Sequence, residues 1–392
     1  MSADRDYYCS YKFKYLKIDL VSNATYNCHA AKQHNIDFQW LSKNKGNLFN
    51  TDINVSERNM MLVNQRNRSC EEICWPLEDQ GAISPRLWQN GQIKTHTKVH
   101  TQPEILEIKL NDNCNLSCSY CCKEYSSAWR RDLFNNGQYN VDVNERYKLT
   151  DRDKLMFKIS QNEVKNTDRF QQLLYEIKNF SKKLEEIVIT GGEPLLDNQL
   201  FDIIEAVSDG SAKINIYTGM GVDYKRFTRM LDRIKQVPNA MISVSAECTD
   251  KFYEFNRFGS QWHDFLEKIK VLIDSQIEFR FSTCITNLTV IDLASFIRQF
   301  ANCRIGLVFA HQPGMMAPYV LDPSTKQQII QDIQSLPDHY RTQITQSIQA
   351  DPSETQRQQM SEFLKEYAAR RHLDLSIYPS SFLEWLDIHV VQ

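Results

Sequence analysis

Three cysteines, Cys114, Cys118 and Cys121, stand at C-x3-C-x2-C spacing directly after an apolar run, and Tyr120 precedes the last of them. Three thiolates on so short a loop can surround one cubane 4Fe–4S cluster and leave its fourth iron without a protein ligand, open to a small molecule. The same spacing is also half of a zinc site, and the triplet alone leaves both readings open. A second motif, Gly191-Gly192-Glu193-Pro194, follows the apolar stretch 184–190. Glycines at a strand end let backbone approach a ligand closely, and Pro194 stiffens the exit. Four more cysteines, Cys9, Cys28, Cys70 and Cys74, precede both motifs, the last two as C-x3-C. They suit a second, fully coordinated cluster, a zinc site or unligated buried thiols about equally.

These residues need elements to carry them. Apolar runs predict strands at 105–110, 184–190, 213–218, 241–246, 277–284 and 304–310. Between them, 3.6-residue periodicity predicts helices at 169–184, 199–208, 224–236, 260–274 and 290–300. Repeated strand–helix units imply a parallel sheet with helices outside and ligands at the carboxyl ends of the strands. Both chemical motifs fall at such ends. Three blocks follow: 1–98, polar and cysteine-bearing; 99–312, the strand–helix repeats; and 313–392, which has no cysteine. That last block carries three helix-like segments punctuated by Pro323, Pro337, Pro352 and Pro379, and reads as a helical cover. An insertion over 122–164 holds Trp129, Arg130, Arg131, Tyr139 and Tyr147. It reads as a lid over substrate, as a grip on a phosphorylated or nucleotide ligand, or as a solvated surface excursion.

Composition limits the partners. The chain has 392 residues, net charge −3 and eleven cysteines. The charge gives no global basic field for nucleic acid or anionic membrane, although 123–165 is locally basic. The N-terminal residues 1–6 are charged and lack a signal-peptide core, and no run of roughly 18 apolar residues occurs. Many cysteines without a leader predict a reducing, cytoplasmic setting and metal ligation over disulfides.

The cysteine triplet with its aromatic, followed by Gly-Gly-Glu-Pro after the second strand, resembles the radical S-adenosylmethionine (radical SAM) superfamily. That resemblance implies an α/β fold, a partial (β/α)6 TIM-like barrel of six strands. It also implies a 4Fe–4S cluster on Cys114, Cys118 and Cys121 whose free iron chelates SAM. The residues Arg58 to Leu62, Cys70-Glu-Glu-Ile-Cys74, Glu78, Gly81, Ser84 and Arg86 resemble the twitch module, a shortened relative of the SPASM domain. By that resemblance Cys9, Cys28, Cys70 and Cys74 ligate an auxiliary 4Fe–4S cluster in a small N-terminal domain. The family has a proline shortly after the first of these cysteines, and this chain does not.

Further roles follow from the same resemblance. Gly191, Gly192, Glu193 and Pro194 take the SAM amino group, and Tyr120 packs near the adenine. Thr218 stands where the family has Thr-Asn-Gly, here Thr218-Gly219, and faces the ribose. Ser245 and Arg257 bind the ribose and carboxylate, and Glu247 occupies a position where relatives often carry Asp. The activity implied is reductive cleavage of SAM to a 5′-deoxyadenosyl radical that abstracts a substrate hydrogen atom. The auxiliary cluster relays an electron, and a flavodoxin or ferredoxin supplies the reductant. Cys122 and Cys248 follow strand ends and are the candidate thiols for returning a hydrogen atom, an epimerase-type outcome; His311 is a candidate acid–base group. The substrate expected is a small molecule such as a sugar or nucleotide, or a peptide. The alternative is a non-catalytic protein that uses iron–sulfur or zinc sites structurally.

Overall fold

The computed structural model describes residues 7–28, 33–45, 47–71, 73–79, 81, 83–92, 102–141, 143, 146–151, 153 and 167–389. The block boundary drawn at 98, the terminal residues 1–6 and much of the insertion lie outside the described residues. The chain divides into two compact units. One comprises residues 1–111, 163–216 and 237–240; the other comprises 112–162, 217–236 and 241–392.

In the first unit the strands run in the order β3-β2-β1-β4-β5-β6. They are β1 (Tyr15–Asp19), β2 (Ala24–Tyr26), β3 (His34–Asn35), β4 (Ile105–Lys109), β5 (Glu186–Thr190) and β6 (Lys213–Thr218), whose last two residues fall in the second unit. β1, β4, β5 and β6 are mutually parallel, and β2 and β3 add an antiparallel meander beside β1. Side chains two apart on a strand share a face, and Leu106, Ile108, Ile187 and Ile189, which share one, are all fully buried. β1 is different. It is buried at every position although two of its five residues, Lys17 and Asp19, are charged. Lys17 pairs with Glu107 at 2.7 Å and Asp19 with Lys109 at 3.0 Å, so each charge is neutralised by β4.

The second unit has three parallel strands, β7 (Ala240–Ser245), β8 (Glu278–Ile285) and β9 (Ile305–Phe309), in that order. Helices at Tyr224–Ile234, Trp262–Ser275 and Leu293–Gln299 alternate with the strands. From β4 to β9 the chain therefore keeps the strand–helix order of a partial (β/α)6 barrel with an open parallel sheet. Its C-terminal part forms helices at Pro323–Asp332, Asp338–Ile348, Glu354–Arg371 and Ser380–Trp385, one more than the three expected.

One apolar core joins these helices to the insertion. Trp129, Tyr139 and Tyr147 are each 0% exposed and pack with Phe363 and Tyr367 of the long C-terminal helix. These aromatics are therefore core, neither a ligand grip nor a solvated excursion. Arg130 is tied to Asp112 at 2.6 Å, and Arg131 alone of this group faces water.

Candidate active site

The cysteine loop of the second unit is fixed mainly by backbone. Ser117 N–H donates to the Phe258 carbonyl at 3.0 Å, Ser119 N–H to the Asn256 carbonyl at 2.8 Å, and Ser119 Oγ to Asn256 Oδ1 at 2.8 Å. Trp129 Nε1 donates to the Cys118 carbonyl at 2.9 Å, and Tyr367 OH to the Ser117 carbonyl at 2.8 Å. Arg371 adds a bond from Nε to Ser117 Oγ and stacks over Trp129 and Tyr367. Every donor and acceptor so used removes a conformational freedom from the loop. Cys118 is buried, whereas Cys114 and Cys121 are half-buried. Cys114 Sγ accepts from Leu116 N–H at 3.4 Å.

Beside the loop lies a buried polar set. Tyr120 OH donates to Glu247 and accepts from Arg257 Nη1, which also reaches both Glu247 oxygens at 3.3 Å. Glu247 and Arg257 are 1% and 4% exposed. Burial pushes the Glu247 carboxyl up, against the opposing pull of Arg257 and Tyr120, and it pushes the Tyr120 phenol well up. Arg257 Nε is buried with no hydrogen-bond partner. Gly219 explains one local choice of residue, because a Cβ there would stand 2.5 Å from Arg257 Nη2.

The other predicted positions fall as follows. Thr218 is buried at the end of β6, where its Oγ1 accepts from Met220 N–H at 2.8 Å. Ser245 ends β7 and is partly exposed. Cys122 is buried beside Cys121, and Cys248 is fully buried with Sγ 3.6 Å from the Thr289 carbonyl. His311 is exposed in the segment after β9. Three residues escaped the sequence reading. Cys284, next to the end of β8, acts electrostatically on the Glu247, Arg257 and Cys118 group, and burial raises its thiol to about 12. Tyr367 and Arg371 hold the loop from a helix some 250 residues away in sequence. A lone Cys in a strand and an Arg near a helix end carry no signal of such roles.

In the first unit, the Gly-Gly-Glu-Pro turn closes against Asn111. Gly192 N–H donates to the Asn111 carbonyl at 2.8 Å. Gly191 has φ +152°, and a Cβ there would lie 2.7 Å from that same carbonyl oxygen. Glu193 is buried and caps the following turn by accepting from Leu195 N–H at 3.1 Å.

The first unit also gathers Cys9, Cys28, Cys70 and Cys74, all buried. Cys9, Cys70 and Cys74 share one apolar cluster with Phe13, Met61 and Trp75. The Cys70 thiol bonds to Cys74, which draws the Cys74 thiol down to about 7. Glu78, Ser84 and Arg86, singled out in sequence, do meet. Arg86 clamps Glu78 through Nε at 3.0 Å and Nη2 at 2.6 Å, and Ser84 donates to the same carboxylate. Gly81 supplies the left-handed turn between them, with φ +77°. Under Cys9 and Cys70, the fully buried Lys12 donates to Asn27, Glu57 and Ser69 at 2.6–2.7 Å. All eleven cysteines are free thiols, and among the described residues no three His, Cys, Asp or Glu side chains are placed to hold a single metal ion.

The fold and the cysteine loop together describe an α/β domain that carries three thiols on one short loop. Residues 108–300 match the radical SAM superfamily, and this part of the chain is a radical SAM superfamily domain. Such a domain implies a 4Fe–4S cluster and SAM. The residues fit that group: three thiols on one pinned loop, a buried Arg257 with a free N–H, and a Gly219 that leaves no room for a side chain. Among solved structures, native anSMEcpe with bound AdoMet and the Cp18Cys peptide is similar at 13% identity and TM-score 0.37, over 58% of this chain and 58% of that one. The chain therefore spans less than two thirds of that protein's length. Streptococcus suis SuiB bound to S-adenosylmethionine is similar at 12% identity and TM-score 0.34, over 84% and 67%. The same protein bound to its precursor peptide SuiA is similar at 11% and 0.33, over 93% and 70%. No curated protein matches the chain. Among the described residues no helix is long and apolar enough to cross a membrane.

Proposed function

We propose that this chain is a radical SAM enzyme that holds a 4Fe–4S cluster on Cys114, Cys118 and Cys121 and acts on a small molecule, such as a sugar or nucleotide, or on a peptide. The observation that carries the reading is the buried Tyr120–Glu247–Arg257 set beside the three-cysteine loop, with Arg257 Nε left without an acceptor. A guanidinium with a free N–H in a dry site suits a carboxylate, and SAM brings one. Held there, cluster and SAM would supply one-electron reductive cleavage of SAM and hence hydrogen-atom abstraction from substrate.

The chain's own residues position and shield. Glu247 balances the Arg257 charge and, with Tyr120, fixes the guanidinium plane. Thr218 and Ser245 lie at strand ends suited to the ribose, and Gly191 to Pro194 form a turn suited to the SAM amino group. Cys9, Cys28, Cys70 and Cys74 would hold the auxiliary cluster for electron relay, with a flavodoxin or ferredoxin as external donor. A thiol returning a hydrogen atom would come from Cys122 or Cys248, giving epimerisation, with His311 as acid–base group.

Anaerobic incubation of the reconstituted protein with SAM and dithionite, read as 5′-deoxyadenosine by mass spectrometry, tests the reading. Product should form with the native chain and vanish when Cys114, Cys118 and Cys121 are changed to Ala. Equal product from both would sink the assignment of the cluster to these cysteines.

A further inference from the structure

Two buried hydrogen-bond donors stand beside the cysteine loop with nothing to donate to. Arg146 Nη2 donates to the Tyr120 carbonyl at 2.9 Å, one residue before Cys121. Its Nε is buried and has no partner. The neighbouring Tyr147 hydroxyl is equally buried, on a side chain that is 0% exposed; it lies against the Arg146 guanidinium, and its own proton has no acceptor. Both groups act electrostatically on Cys121 and Cys122, and Arg146 also acts on Cys284. Leaving one such donor unpaired costs about 1–3 kcal/mol. Two side by side indicate an acceptor that belongs there, and the nearest acceptors a cluster would bring are its sulfur atoms.

We propose that Arg146 and Tyr147 are positioning donors to the sulfur atoms of the cluster held by Cys114, Cys118 and Cys121, and that they raise its reduction potential. This rests on the proposed function above. The physical reason is charge. Reduction adds an electron to an already anionic cluster, so a buried guanidinium and hydrogen bonds to sulfur favour the reduced state. Arg146 supplies both a charge and a directed N–H; Tyr147 supplies only the bond. Their effects should therefore rank in that order.

The test is an anaerobic redox titration of the reconstituted protein, following the EPR signal that changes on adding SAM. That choice separates this cluster from any auxiliary one. In Arg146→Met the reduced-to-oxidised ratio at fixed poise should fall about tenfold or more, a shift of about 59 mV to more negative potential for one electron. Arg146→Lys keeps the charge without the Nε donor and should shift less. Tyr147→Phe should shift least, in the same direction. Arg131→Met removes an exposed cation of the same segment and should shift nothing. A protein that takes up no iron or sulfide would sink the radical SAM reading itself. A normally loaded cluster whose potential is unchanged in Arg146→Lys, Arg146→Met and Tyr147→Phe would overturn only the role of these two residues. Should Arg146→Met fail to load, Arg146→Lys and Tyr147→Phe still decide the matter.

Discussion

Changing Lys12 to Met tests whether the buried cation beneath the N-terminal cysteines is held as the structure shows. Its ammonium is 0% exposed and makes three bonds at 2.6–2.7 Å, to Asn27, Glu57 and Ser69. The Glu57 carboxylate it faces is 11% exposed. Removing Lys12 leaves the Glu57 carboxylate buried with only the Asn27 amide and the His34 ring beside it, at a cost of up to about 3–5 kcal/mol. With a urea slope of about 2 kcal/mol/M, the unfolding midpoint should drop by roughly 2 M. Glu57→Gln should cost a similar amount, because it strands Lys12. The double variant removes the ion pair altogether, and its loss should fall short of the summed single losses by about 2 kcal/mol, within the range for residues in one network. Urea denaturation followed by tryptophan fluorescence and by circular dichroism gives all three values. A single-variant loss below about 1 kcal/mol, or strictly additive losses, would refute the buried pair and the argument built on it.

The same carboxylate sets an acid limb. Burial alone would raise Glu57, but His34, Lys12 and Asn27 override it and hold the carboxyl at about 2, against an ordinary 4.5. A depressed carboxylate contributes stability above its unfolded value and loses it as pH falls through its folded one. About 3 kcal/mol should therefore disappear between roughly pH 4.5 and 2, and Glu57→Gln should flatten that limb in stability measured against pH. Gly191→Ala puts a Cβ against the Asn111 carbonyl at a φ that side chains avoid. A loss of about 2 kcal/mol and a Tm lower by roughly 4–8 °C are expected, whereas Gly91→Ala, with open space around it, should not lower Tm.

What could be read in the sequence was whatever depended on runs of apolar residues. The strands expected at 184–190, 213–218 and 304–310 appear at Glu186–Thr190, Lys213–Thr218 and Ile305–Phe309, because short runs rich in Ile, Val and Phe leave no competing pattern. β1 was not legible. Tyr-Leu-Lys-Ile-Asp looks half solvated, and only the matching charges Glu107 and Lys109 on β4 make its burial possible. Trp129, Tyr139 and Tyr147 misled for the converse reason. Their neighbours in sequence are charged, and the partners that bury them, Phe363 and Tyr367, lie more than 200 residues on. At the site, the family resemblance pointed to Tyr120, Glu247 and Arg257, and the structure places these three in hydrogen-bonding contact. Arg146 and Cys284 did not stand out, since nothing in a lone Arg or Cys tells which way it faces.

The pairing of β1 with β4 bears on how the chain can be trimmed. β1 pairs in register with all five residues of β4, from Ile105 to Lys109. A fragment begun near residue 99 would expose an apolar strand edge bearing Leu106 and Ile108, together with Glu107 and Lys109 stripped of their counter-charges. Unpaired edges of that kind recruit strands from other molecules. Such a fragment would precipitate through its edge even with every cysteine of the C-x3-C-x2-C loop in place, so the segment that carries Cys9 also serves as the guard rail that keeps the domain soluble.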